Sequence, residues 1–134
     1  MVLGIKFEKI ILVGDSAGGN LIAALTLRLI KTGLRVPDGL FMIYPSFDLK
    51  IDMSRPSVLR SLNNAILPLG LLKLFVSSYV GDFKLSEDPF ISPLVACDEL
   101  LEKMPPCRLV VGTADPIEDD SWRFMSRLMY LRLI

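Results

Sequence analysis

The feature that most constrains this chain is a junction near its start. Ile10-Ile11-Leu12-Val13 is an unbroken apolar run, Gly14–Gly19 is glycine-rich, and Asn20–Lys31 is apolar at helical spacing. A short run without polar alternation predicts a parallel strand, Lys9–Val13, covered on both faces. In the next segment Leu21, Leu25 and Leu29 fall at i, i+4 and i+8, with Ile22, Ala24 and Leu27 on other faces. That predicts a helix buried nearly all round and stopped by Gly33. Strand, tight turn and helix in immediate succession open a βαβ unit, which leaves few folds available.

The rest of the chain continues the alternation. Gly39–Tyr44, with Leu40, Phe41, Met42 and Ile43, reads as a second buried strand ended by Pro45; Arg108–Gly112, with Leu109, Val110 and Val111, reads as a third. Between them, Leu49–Ser86 has no buried-strand run. Pro56 and Pro68 divide it into two expected helices, about 57–63 and 68–80, with Pro68 suited to a first-turn position. Segment 67–80 is read as an ordinary packing helix, with the wall or lid of an acyl pocket as the alternative. Asp88–Pro93 is expected to be an extended connection, followed by a helical turn within 94–103. Ile117–Leu131 predicts a last helix, with Asp119 and Asp120 in its first turn and Phe124, Leu128 and Leu131 on one face. Trp122, Phe124, Met125 and Met129 are expected in the core. The expected fold class is α/β: about three parallel strands flanked by helices, with a helical excursion between the second and third. The first strand calls for neighbours and cover, so residues 1–134 are expected to be one part of a larger domain.

Composition narrows what such a part can do. Lys plus Arg and Asp plus Glu are 15 each, so the net charge is zero and there is no basic footprint for nucleic acid. The longest stretches free of charge, Ser16–Leu27 and Ser61–Leu72, hold 12 residues. A bilayer span needs about 20, so no transmembrane segment is expected. Met1–Lys6 shows no leader pattern, and Cys97 and Cys107 form no CxxC pair, so the expectation is a cytoplasmic location. There is no histidine. A His-dependent metal site, a His general base or a Ser-His-Asp triad cannot be completed from these residues alone. No metal and no organic cofactor are expected.

Gly14-Asp15-Ser16-Ala17-Gly18 matches G-x-S-x-G between a strand and a helix, the context that a nucleophile elbow needs. So sharp a turn is expected to hold Ser16 at positive φ and to crowd the residues two before and two after it, both glycine here. It lifts the Ser16 hydroxyl clear of the sheet and turns the Ala17 N–H, at the positive end of the helix, toward the same space. Two blander readings stand beside this one: a phosphate-binding loop, although neither G-x-G-x-x-G nor Gly-Lys-Ser/Thr is present, and a plain structural turn. Asp15 is read as a solvated or backbone-capping carboxylate. Asp115 follows the third strand, where open α/β sheets gather catalytic groups, and it comes after Ser16 in the order Ser…Asp. Its alternative is a turn or capping aspartate before Pro116.

Gly14–Leu21 (GDSAGGNL) resembles the nucleophile elbow of the hormone-sensitive lipase family of α/β-hydrolases. Arg35–Gly39, Tyr44-Pro45, Asp88–Leu94, Leu101–Pro106 and Asp115–Ser121 are similar to the same family, in the same order over nearly the whole chain. The resemblance implies Ser16 as nucleophile, Ala17 N–H as an oxyanion donor and Asp115 as the triad acid. Gly14, Asp15, Gly18 and Gly19 then complete the elbow. It implies hydrolysis of carboxylic esters, acylglycerols or other acyl esters, through an acyl-enzyme and without a cofactor. The implied partner is an acyl-ester or lipid substrate, with lipid-droplet association of the longer protein. Asp119 is read as a helix-start residue supporting the Asp115 loop. The family's His-Gly-Gly-Gly oxyanion loop lies upstream of the elbow, and its histidine lies downstream of the aspartate. Neither is among these residues, so the alternative expectation is a truncated, catalytically silent chain.

Overall fold

A computed structural model describes residues 7–81 and 88–133. Residues 1–6, 82–87 and 134, which include Met1–Lys6 and the end of the excursion, lie outside the described residues. The elements run β1 (Ile11–Asp15), α1 (Ala17–Thr32), β2 (Gly39–Ile43), α2 (Pro56–Arg60), α3 (Leu69–Val80), a 3₁₀ turn (Pro93–Val95), α4 (Asp98–Leu101), β3 (Cys107–Val110) and α5 (Glu118–Leu133). The three strands form one parallel sheet in the order β1-β2-β3, so the expected α/β class holds. Gly33 ends α1 in the left-handed region, φ 68°, its N–H and that of Leu34 returning to the Ile30 and Leu29 carbonyls.

Register decides the faces. Leu12 pairs with Leu40, and Leu40 and Met42 pair with Cys107 and Leu109, so these side chains share one face. Ala23 and Leu27 of α1, with Phe124 and Leu128 of α5, cover that face. Phe47 stacks on Phe124 with ring centroids 3.9 Å apart and closes the core. Among the described residues nothing covers the opposite face: Ile11 is 57% and Val13 63% exposed, and Val110 is exposed too. The strands expected to be covered on both sides are thus covered on one side by the described residues. A sheet that grows in one direction through right-handed crossovers collects its connections on one face. Leu21 and Leu25 are exposed on a side of α1 that was expected to be buried.

Smaller differences have local causes. Pro68 is the N-cap of α3 rather than its first helical residue, with ψ 148°, so the helix begins one residue later. The 88–92 connection is a turn, not extended: the Asp88 carboxylate accepts the Phe90 N–H at 2.8 Å and its carbonyl accepts the Ser92 N–H at 2.8 Å. Trp122 and Met129 lie exposed on the outer side of α5, and the Trp122 indole donates to Glu118 at 3.1 Å. Among the described residues no helix is long and apolar enough to cross a membrane.

Candidate active site at the strand ends

Ser16 is the residue between β1 and α1. Its φ is 48° and its ψ −118°, so the expected positive φ is present. Such a conformation costs a non-glycine residue on the order of 1–3 kcal/mol and persists only where the surroundings hold it. Here the Ser16 N–H donates to the Ile43 carbonyl at 2.9 Å, tying the turn to the end of β2. One strand further, Tyr44, also at positive φ (39°), donates its N–H to the Val110 carbonyl at 2.6 Å. These bonds lock together the three strand ends that carry the site.

The glycines behave unequally. A Cβ on Gly14 would sit 2.5 Å from the Gly18 carbonyl carbon and oxygen, and one on Gly19 would sit 2.6 Å from Pro45 Cβ. A Cβ on Gly18 would meet only Asp15 Oδ1, at 3.8 Å. The crowding expected at both motif glycines is therefore found at Gly14 and Gly19, because what presses on Gly14 is the backbone of Gly18. The close approach of Gly19 to Pro45 seats α1 against the end of β2. Asn20 reinforces that seat: it is buried, and its side-chain amide donates to the Ser46 and Ile91 carbonyls at 2.6 and 2.9 Å. Asp15 is exposed, as read from the sequence.

Ser16 and Ala17 lie on the wall of a cavity of about 320 Å³. Ala17 is the first residue of α1, so its N–H belongs to the first turn, whose donors have no partner inside the helix. The far wall is apolar and comes from Leu67, Leu72, Phe75 and Val76, closed below by Ile117. Segment 67–80 therefore serves chiefly as a pocket wall, with only Leu72 and Val80 of α3 buried. Its near-absence of charge was the available signal; its partner could not be read from the sequence.

Asp115 lies in the loop between β3 and α5, half-buried. Its Oδ1 accepts the Ile117 N–H at 3.0 Å, a local turn bond of the kind expected before a proline-led helix start. Burial raises its pKa above the ordinary carboxylate value; the Ile117 bond opposes this and Glu118 adds to it. The loop is clamped from α2 and the turn after it. Ser57 Oγ donates to the Pro116 carbonyl at 2.9 Å, and Asp119 accepts the Ser57 N–H at 2.9 Å. Ser61 and Asn64 both donate to the Ala114 carbonyl, at 3.2 and 2.7 Å. Asp119 thus reaches across to α2 rather than to Asp115 itself.

One residue on, Asp120 is fully buried and accepts from Arg55 at 2.5 Å, while Arg55 also binds Asp48 at 2.5 Å. Burial pushes the Asp120 carboxyl up to about 7 against the pull of Arg55. Sequence reading placed Asp120 in a helix first turn and missed this pairing, because Arg55 is far away along the chain. Ser57, Ser61 and Asn64 were missed likewise; their polar side chains in a proline-punctuated segment carry no signal of a tertiary partner. Among the described residues no cluster of acidic, cysteine or histidine side chains is arranged to hold a metal.

Residues 2–131 match the family described as alpha/beta hydrolase fold. Over 80 residues the chain is 48% identical to hormone-sensitive lipase of Bos taurus, which covers 60% of this chain and 10% of that protein. It is 35% identical over 127 residues to an esterase of Acinetobacter venetianus, covering 95% of this chain and 41% of the relative. Among solved structures, carboxyl esterase 2 of the fungus Tuber melanosporum superposes with a TM-score of 0.87 at 32% identity, over 96% of this chain and 42% of that one. The chain thus spans less than half the length of these relatives. It belongs to the α/β-hydrolase fold family and, within it, resembles hormone-sensitive lipase and its esterase relatives.

Proposed function

We propose that these residues carry the nucleophile and the acid of a carboxylic ester hydrolase that works through an acyl-enzyme on Ser16. The observation that carries this reading is Ser16 held at positive φ, at the N-terminus of α1 and at the mouth of an apolar cavity. In the proposed reaction Ser16 Oγ attacks the ester carbonyl and its proton passes to a base. The oxyanion accepts a hydrogen bond from Ala17 N–H, and the tetrahedral adduct expels the alcohol, which takes up that proton. Water then hydrolyses the acyl-enzyme by the same route. Asp115 would orient an imidazole and stabilise it when charged. With no histidine in the chain, that imidazole has to come from outside these residues. The apolar wall fits an acyl group, so acylglycerols and other acyl esters are the proposed substrates. We extend this reading to a role in lipid catabolism, in the cytoplasm and at lipid droplets.

The missing base favours a second reading, in which the chain by itself binds esters without turning them over. Loss of a triad base costs on the order of 10⁶ in kcat. Chemical rescue separates the two readings. Hydrolysis of p-nitrophenyl butyrate is measured with and without added imidazole, for the chain and for Ser16→Ala. The proposal expects an imidazole-dependent rate above that of Ser16→Ala. Equal rates for the two proteins would refute Ser16 as nucleophile.

A further inference from the structure

Asn64 lies between the two halves of the site and touches both. Its Oδ1 accepts the N–H groups of Ile66 and Leu67 at 2.8 and 2.9 Å, and Leu67 is part of the cavity wall. Its Nδ2 donates to the Ala114 carbonyl at 2.7 Å, the peptide group joined directly to Asp115. The orientation of the amide is set by its surroundings, since two N–H donors require the oxygen and a carbonyl requires the nitrogen. One side chain therefore grips the pocket wall with one end and the aspartate loop with the other.

We infer that Asn64 is a positioning residue that couples occupation of the apolar pocket to the placement of Asp115. This rests on the reading of Asp115 as the triad acid. An acyl chain that displaces Leu67 moves the 66–67 peptides, these move the Asn64 amide, and the amide moves the Ala114 carbonyl. Ser61, the other donor to the same carbonyl, does not share the property. Ser61 reaches the Ala114 carbonyl without touching the wall, and Ser57 binds the Pro116–Ile117 peptide on the Asp115 side of the cavity, where Asp115 itself accepts the Ile117 N–H; Asn64 differs from both in also holding the opposite wall at Leu67. Rigidity alone would make Asn64 and Ser61 equivalent; coupling makes them different.

The sequence offers a direct readout, because Ala114-Asp115 is its single Ala-Asp step. Labelling alanine with ¹³C at the carbonyl and aspartate with ¹⁵N leaves one correlated NMR signal, from the peptide that accepts the Asn64 bond. The intact chain is titrated with sodium octanoate while the Leu67 methyl signals report pocket filling. The Ala114–Asp115 signal is expected to move along the same binding curve. In Asn64→Asp the acceptor end survives and the donor end is lost. Octanoate should then bind within about threefold of the original Kd while the Ala114–Asp115 response falls by about fivefold or more. In Ser61→Ala the response should persist, and that variant decides the matter if Asn64→Asp does not fold. The inference is overturned by an Ala114–Asp115 signal that stays still as the pocket fills, by an undiminished response in Asn64→Asp, by loss of the response in Ser61→Ala, or by failure of octanoate to bind. If coupling is found and imidazole rescue is not, the hydrolase reading falls by itself.

Discussion

Replacing Gly14 and Gly18 by alanine, one at a time, should have opposite effects on stability, although both are fixed positions of the same pentapeptide motif. In Gly14→Ala the new methyl would lie 2.5 Å from two backbone atoms of Gly18 and 2.9 Å from the Gly19 nitrogen. It must retreat by nearly an ångström to reach ordinary contact. No side chain can rotate away, because the obstacle is the first turn of α1. Overpacking costs about 1–3 kcal/mol, and a backbone obstacle puts this case at the upper end. The lower entropy of alanine in the unfolded chain returns about 0.4–1 kcal/mol, for a net loss of roughly 2–3 kcal/mol. In Gly18→Ala the nearest atom is a carboxylate oxygen at 3.8 Å, and the residue lies in a helix at ordinary φ. Alanine is the better helix former by about 1 kcal/mol in a helix interior, so a gain of about 0.5–1 kcal/mol is expected in the first turn. Equilibrium urea denaturation followed by circular dichroism reads both, with m unchanged from the parent. Equal destabilisation by the two substitutions would refute the crowding argument, as would a Gly14→Ala protein within about 0.5 kcal/mol of the parent, the scatter of an ordinary surface change.

Three other outcomes follow from the same geometry. Ser16→Gly relieves the strained φ and should stabilise the fold by about 1 kcal/mol while removing the proposed nucleophile; a loss of stability in the same urea assay would contradict the strain. Asn20→Ala strips the donor from two carbonyls at the base of the site and should cost about 2–4 kcal/mol; a cost under about 0.5 kcal/mol would mean the amide is dispensable. Asp120 has a folded pKa of about 7, raised by burial from 3.8. Its protonated form favours folding, so its contribution is complete below pH 4 and is lost as pH rises toward and through 7. Denaturation between pH 5 and 8 should show stability falling with pH, and Asp120→Asn should flatten that slope; an unchanged slope would move its cause elsewhere.

The strands, α1 and the serine turn were legible in the sequence because their signals are local: an apolar run, a glycine cluster, leucines at helical spacing. What lay beyond reach was set by partners distant along the chain. Ile11 and Val13 read as buried, whereas the described residues, less than half the length of the relatives, cover only the other face of the sheet. Gly18 read as crowded because the motif is symmetric about Ser16, whereas the turn is not: the backbone of Gly18 presses on Gly14, and Pro45 presses on Gly19. Asp115 was placed by its position after a strand and by resemblance. Its clamp was invisible, because serines and an asparagine in a loop announce no partner some 50 residues away. Trp122 and Met129 read as core by residue type, but Phe124 and Leu128 fill the buried stripe of α5 and leave them outside.

The most direct test of the central claim is intact-mass spectrometry of the chain after exposure to a fluorophosphonate, with imidazole supplied as the base. Attack by Ser16 Oγ expels fluoride and leaves one phosphonyl group on the protein. The account predicts a single adduct, mapped to the peptide that contains Ser16, forming faster with imidazole and absent from Ser16→Ala. An adduct on another residue, or one that forms equally in Ser16→Ala, would contradict it.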